Sequence, residues 1–301
     1  MNVLGVIGGS GLYELPGLAN VETVAVDTPY GAPSDVLVRG TLGDTVLLFL
    51  PRHGRGHRVP PHRINYRANV CAMKLSGATH LVSVSAVGSM REAIVPGHLV
   101  VPDQTIDLTK GRTSTFFDDV AVHVPFADPV CKDLAEALAT AAERGDPTGT
   151  VHRGGTYLCM EGPQFSTRAE SLLYRSWGVS VIGMTALPEA KLAREAELPY
   201  ATLALATDYD CWHESEEDVS VEAVLAVMRA NVERAKRALV ELEPRLPDAK
   251  KSRAHDILAG ACSRRRRPSR KMRASASGGS SRDRFRSKVP PAVSFVTQAR
   301  L

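Results

Sequence analysis

Val3-Leu4-Gly5-Val6-Ile7-Gly8-Gly9-Ser10-Gly11 is a short apolar, β-branched run that stops in a glycine-rich turn. Read as a strand running into a loop, it sets the pattern for the chain behind it. The apolar run Thr45–Leu50 ends in the same way, in Pro51-Arg52-His53-Gly54-Arg55-Gly56-His57-Arg58, and a helix candidate follows from His62 to Leu75, with Ile64, Ala68, Cys71 and Leu75 on one face. Further strands are predicted at His80–Val84, His98–Val101, Thr156–Met160, Val179–Met184 and Tyr200–Thr207, with helices at Pro129–Glu143, Pro188–Leu198 and Ser220–Glu243. In the last of these Val221, Val224, Leu225, Met228, Val232 and Leu239 recur near the helical period, Ser220 is a suitable cap, and Pro244 ends the pattern. Strands alternating with helices predict a single α/β domain with a central mixed sheet flanked by helices.

Composition sets outer bounds. The 301 residues are 44% hydrophobic and 23% charged, with no run of about 18 apolar residues and no basic-then-apolar start, so neither a spanning helix nor a secretory leader is expected. The expected location is cytoplasmic. Cys71, Cys131, Cys159, Cys211 and Cys262 are scattered and form no C-x-x-C, which argues for reduced thiols and against a zinc site or a disulfide framework. Charge is unevenly spread. Lys250–Leu301 holds 15 Lys/Arg against 2 Asp/Glu, a balance of +13, which leaves 22 basic and 31 acidic residues, a balance of −9, in Met1–Ala249. With its Arg264–Arg267 run and Ser/Gly/Ala-rich Ala274–Ser281, segment 250–301 is expected to be a disordered basic tail on a 1–249 domain. Such a tail could neutralise phosphates, but only Phe285 and Phe295 could stack on bases, so a solvated charge run is preferred to a nucleic-acid surface.

The chemistry-bearing residues gather at the ends of the strands. The turn Gly8–Gly11 lets main-chain amides approach an anion, but no placement of G-x-G-x-x-G or of a P-loop fits it; a plain tight turn after an edge strand is the competing reading. Arg52, Arg55, Arg58, His53 and His57 give dense positive potential, suited to phosphate oxygens or simply to a solvated loop. Together with the hydroxyls of Ser83-Val84-Ser85-Ala86-Val87-Gly88-Ser89, they favour an oxyanion site. Phe165, in Met160–Glu170, could stack on a planar base or plug the core. Asp208 and Asp210, two apart at the end of a strand, are expected to point the same way. Such a pair could bind a metal, accept hydrogen bonds from an amine, or hold a proton for a leaving group.

Taken together, these residues resemble the trimeric nucleoside phosphorylase family, most closely its methylthioadenosine-cleaving members, over about Val3–Leu242. The motifs are Gly8-Gly9-Ser10-Gly11-Leu12, Arg52-His53-Gly54-Arg55, Asn65-Tyr66-Arg67-Ala68-Asn69, Glu161-Gly162-Pro163-Gln164-Phe165-Ser166, Gly183-Met184-Thr185 and Thr207-Asp208-Tyr209-Asp210-Cys211-Trp212. The resemblance implies a phosphate site of Ser10, Arg52, His53, Ser85, Ala86 and Thr185, and a nucleoside site of Phe165, Ser166, Met184, Asp208 and Asp210. It also implies an apolar 5′ pocket of Val221, Val224 and Leu225, with His123 reaching over from a neighbouring subunit of a homotrimer. Asp208 would be the catalytic acid.

The implied reaction is phosphate-dependent cleavage of S-methyl-5′-thioadenosine to adenine and S-methyl-5-thioribose 1-phosphate, in purine and methionine salvage. No cofactor or metal is implied, inorganic phosphate being a co-substrate. Purine nucleoside phosphorylase and methylthioinosine phosphorylase are the alternatives; family members acting on 6-oxopurines carry Asn at the carboxylate pair. Ser10 and Ser85 stand where relatives often have Thr, and Lys250–Leu301 resembles no family terminus.

Overall fold

The computed structural model describes residues 2–9, 11–213, 221–259 and 261, with the backbone alone over 221–225. Among these residues eleven strands form one mixed sheet: β1 (Val3–Gly8), β2 (Ala19–Val24), β3 (Leu37–Leu42), β4 (Thr45–Pro51), β5 (His80–Ser89), β6 (Leu99–Val101), β7 (Gln104–Leu108), β8 (Val151–Arg153), β9 (Thr156–Met160), β10 (Val181–Gly183) and β11 (Tyr200–Asp208). Five helices flank the sheet: α1 (Tyr66–Leu75), α2 (Lys132–Gly145), α3 (Arg168–Ser176), α4 (Ala186–Glu195) and α5 (Val221–Leu242). The expected α/β class and mixed sheet are what is found.

The sheet runs β2-β3-β4-β1-β5-β10-β9-β7, and β11 joins β5 on a branch that continues through β6 to β8. The strand before the glycine turn, β1, is central, paired in parallel with β4 and β5, which removes the competing reading of a turn after an edge strand. Every residue of β4 is buried, as a strand covered on both faces requires. β5 is longer than the expected His80–Val84: it continues through Ser89, pairing with β11 in parallel and then with β10 in antiparallel sense. The parallel strands β1, β4, β5 and β11 therefore end side by side. At this crowded end Gly8 has a steric reason, because a Cβ there would lie 2.4 Å from Leu12 Cδ1 and 3.2 Å from Val84 Cβ.

Helix α1 begins at Tyr66 rather than at His62, because Asn65 caps it, its side chain accepting the Ala68 amide, after a short 3-10 turn at Pro61–Arg63. Leu75, expected on the buried face, is exposed. Segment 250–259 is docked on the body: Ala254 is buried, Leu258 packs on the main core cluster, its amide donates to Glu197 Oε1 at 3.2 Å, and Arg253 pairs with Asp128 at 2.5 Å. Charge composition concealed this, since the docking is made by one small and one apolar side chain among the basic ones. Residues 262–301, including the arginine run, lie outside the described residues.

Candidate active site

Arg52 leaves β4 and turns inward instead of out to solvent. Its amide donates to Gly8 O at 2.8 Å, tying the ends of β1 and β4 together. The buried guanidinium donates from Nε to Glu189 Oε2 (3.0 Å), from Nη1 to Val84 O (3.0 Å), and from Nη2 to Ile7 O (2.8 Å), Ser83 Oγ (2.7 Å) and Glu189 Oε1 (3.3 Å). Burial opposes its charge, but the Glu189 carboxylate outweighs burial and holds the group above its ordinary pKa. The fork expected to clasp an anion is thus largely committed within the protein, and Nη1, which makes one of these bonds, keeps a second N–H to offer.

His53 is next in the chain. Its Nδ1 lies 2.8 Å from Val59 O, its ring stacks on His57 at 4.2 Å between centroids, and burial, with Arg52 and His57 nearby, pushes its pKa down to about 4. At neutral pH the ring is uncharged, so Nδ1–H donates to the Val59 carbonyl and Nε2 carries the lone pair. Across from β4, Ser85 Oγ lies 3.1 Å from Thr185 Oγ1 and 3.3 Å from the Tyr157 hydroxyl. Both Ser85 and Thr185 are buried, whereas Ala86, mid-strand in β5, is exposed and marks an opening there. Thr185 is the residue preceding α4 and makes no side-chain cap, and Leu187 just behind it is non-helical (φ −123°, ψ 136°), so the Thr185 hydroxyl stays with Ser85.

The carboxylate pair sits at the end of β11. Pairing with β5 slips between Ala206 and Asp208, and Thr207 Oγ1 donates to Asp208 Oδ2 at 2.7 Å. Asp208 and Asp210 do not face alike by strand alternation, as expected from the sequence. The strand ends at Asp208, Asp210 opens a 3-10 turn (Asp210–Trp212) at φ 55°, and its amide donates back to Asp208 Oδ1 at 2.9 Å. The two acids are brought together by that turn. Gly88 makes room for them, since a Cβ there would stand 2.9 Å from Asp208 Oδ1 and 3.3 Å from Asp210 Cβ. Burial, and secondarily Asp208, raises the pKa of Asp210, while the Ser171 hydroxyl, 2.5 Å from Oδ2, opposes the rise. Among the described residues no three His, Cys, Asp or Glu side chains cluster as metal ligands.

The remaining expected residues divide. Ser166 is half-buried, its carbonyl accepting from Cys211 Sγ at 3.3 Å, which links the 160–167 loop to the acid turn. Phe165 is 81% exposed, so it does not plug the core and leaves a ring uncovered beside these groups. Met184 is half-buried and offers its carbonyl to Arg112. His123 is exposed, its amide donating to Ala261 O at 3.2 Å. Ser10 and the side chains of Val221, Val224 and Leu225 lie outside the described residues. A cleft of 740 Å³ between β6, the α2 N-terminus and residues 251–254 shares no residue with this constellation.

A serine–threonine–guanidinium corner beside β5 and a carboxylate pair at the end of its neighbour β11 are therefore the local geometry. The phosphorylase superfamily model matches residues 3–242. The chain belongs to the phosphorylase superfamily. Its relatives include the S-methyl-5′-thioadenosine phosphorylase of Geobacter sulfurreducens, 63% identical over 236 residues, 78% of this chain and 82% of that one. Among solved structures, a methylthioadenosine phosphorylase from an Antarctic soil metagenomic library aligns with a TM-score of 0.82 at 48% identity, covering 86% of this chain and 91% of that one. The methylthioadenosine phosphorylase of Schistosoma mansoni, in complex with adenine, aligns with a TM-score of 0.79 at 37% identity, covering 87% of this chain and 99% of that one.

Two residues of this superfamily member escape sequence reasoning. Glu189 was legible only as part of a helix, yet it is buried, pairs with Arg52 and also accepts from the Tyr200 hydroxyl at 3.2 Å. Arg112, from the segment after β7, has a buried side chain that donates to Met184 O (2.7 Å), Leu187 O (2.9 Å), Tyr66 Oη (2.9 Å) and Glu161 O (2.5 Å). It thereby stitches the two loops that carry Met184 and Phe165. No local signal could have found it, because its partners are 46 to 75 residues away in sequence.

Proposed function

We propose that this chain cleaves S-methyl-5′-thioadenosine with inorganic phosphate, giving adenine and S-methyl-5-thioribose 1-phosphate, as a pentosyltransferase of purine and methionine salvage. The observation that carries this reading is that the hydroxyl–guanidinium corner (Ser85, Thr185, Arg52) and the Asp208–Asp210 pair stand at the joined ends of β4, β5 and β11. A phosphate in that corner, with Ser10 and the Ala86 amide completing its shell and the His53 Nε2 lone pair accepting from its protonated oxygen, faces the sugar, while the acids face the base. One phosphate oxygen bonds to C1′ as the C1′–N9 bond breaks, its electron pair leaving on the purine through an oxocarbenium-like transition state. Asp208 delivers a proton to N7 of the departing base, and the bound phosphate stabilises the sugar cation electrostatically. Thr207 and the Asp210 amide hold the two Asp208 oxygens in place, each oxygen keeping a second lone pair for the proton or the base.

Asp210, as a carboxylate, accepts from the exocyclic amine of adenine and disfavours a 6-carbonyl. Phe165 stacks on the ring beside Ser166, and Met184 contacts the ribose. Val221, Val224 and Leu225 receive the methylthio group, with His123 from the next subunit of a cytoplasmic homotrimer. No cofactor enters these steps. The test is purine release from methylthioadenosine, adenosine and inosine, each with and without phosphate, by the wild type and Asp208→Asn. Phosphate-dependent adenine release fastest from methylthioadenosine, and almost abolished in a folded Asp208→Asn variant, is expected. Faster inosine cleavage would move the assignment to a purine nucleoside phosphorylase, and near-normal turnover by the variant would remove Asp208 from its role.

A further inference from the structure

Ser171 lies in α3 with no exposed surface. A helical serine commonly turns its hydroxyl back to the carbonyl one turn earlier or out to water. Here the Ser171 amide continues the helix to Thr167 O at 2.9 Å, while the hydroxyl crosses to the acid turn and donates to Asp210 Oδ2 at 2.5 Å. The hydroxyl takes one lone pair of Oδ2 and the Cys211 amide also donates to the carboxylate, which leaves it lone pairs to accept from a base. We infer that Ser171 is a positioning residue that keeps Asp210 ionised and oriented as a hydrogen-bond acceptor, and so sets the preference for 6-amino over 6-oxo purines. This rests on the reading that Asp210 meets the exocyclic amine.

The physical reason is that one proton inverts the recognition. A carboxylate only accepts, whereas a carboxylic acid also donates and so suits a 6-carbonyl. Burial favours that proton on Asp210, and so does Asp208 whenever it is ionised. Around the group stand Asp208 from β11, Cys211 within the turn, whose amide also donates to the carboxylate, and Tyr174 from α3. Of the side chains facing it from α3, Ser171 is the one that donates directly to the carboxylate. A group whose pKa is raised protonates as pH falls through the raised value; without the hydroxyl that conversion moves to still higher pH.

The experiment is the ratio of kcat/KM for methylthioadenosine to that for methylthioinosine between about pH 5 and 8.5, where both nucleosides share the titration of phosphate and it cancels. The wild type, Ser171→Ala, Ser171→Cys and Asp210→Asn are compared. In the wild type the ratio is expected to fall on the acid side, and in Ser171→Ala the fall comes about one pH unit higher, as loss of a hydrogen bond to an ionised group requires. Ser171→Cys, which keeps the volume with a weaker donor, shifts the same way by less, and serves if the alanine variant does not fold. If the serine variants overlay the wild-type profile while Asp210→Asn loses its preference at every pH, the inference is wrong and the reading of Asp210 stands. If Asp210→Asn keeps the preference, that reading itself is overturned.

Discussion

Arg52 and Glu189 form the residue-scale feature that most changes how the site works. Both side chains are almost fully buried, so the pair brings little net charge to the oxyanion corner, and with His53 neutral at pH 7 the anion is met mainly by hydroxyls, amides and one remaining guanidinium N–H. Glu189→Gln leaves a buried cation short of its counter-charge, and is expected to lower stability by about 3–5 kcal/mol, read from the denaturant midpoint. An unchanged midpoint would mean that water reaches Arg52. The value of Arg52 as a candidate was legible in its motif. Its orientation was not, because Glu189 lies 137 residues away and becomes its neighbour only when α4 packs on β5 and β11.

At the scale of elements, what the sequence displayed depended on how each element is buried. β4, β5, β9 and β11 read clearly, since strands covered on both faces are continuous apolar runs. β2, β3, β7 and β8 were missed: β2 is exposed at nearly every position, and β8 has three residues, so neither an apolar run nor an alternation marks them. The start of α1 was misjudged because its deciding feature is a cap and not a period. Asn65 accepts from the Ala68 amide (3.1 Å) and donates to Tyr30 O (2.7 Å), joining the helix to an early loop. Asn65→Ala is expected to cost about 1–2 kcal/mol, seen as a lower unfolding midpoint with turnover of the folded fraction retained. A midpoint equal to that of the wild type would show the cap to be replaceable by water.

For the whole molecule, Phe165 and His123 are both exposed, and the proposed homotrimer would bring a second copy's His123 to the site. Sedimentation is expected to give three times the chain mass of 32.4 kDa, and a monomer with full activity would remove His123 from the site. By itself the sequence determined the α/β class and the family, because these depend on local apolar patterning and on short motifs that each fold within one turn. Only the tertiary structure decided that Arg52 faces Glu189, that Arg112 stitches the Met184 and Phe165 loops, that Ser171 holds Asp210, and that residues 250–259 dock on the body. Each of those contacts joins residues 39 or more positions apart, and no periodicity encodes which distant polar group a buried one will meet. That choice is made by the requirement that every polar group taken out of water find a partner where the packed elements bring one.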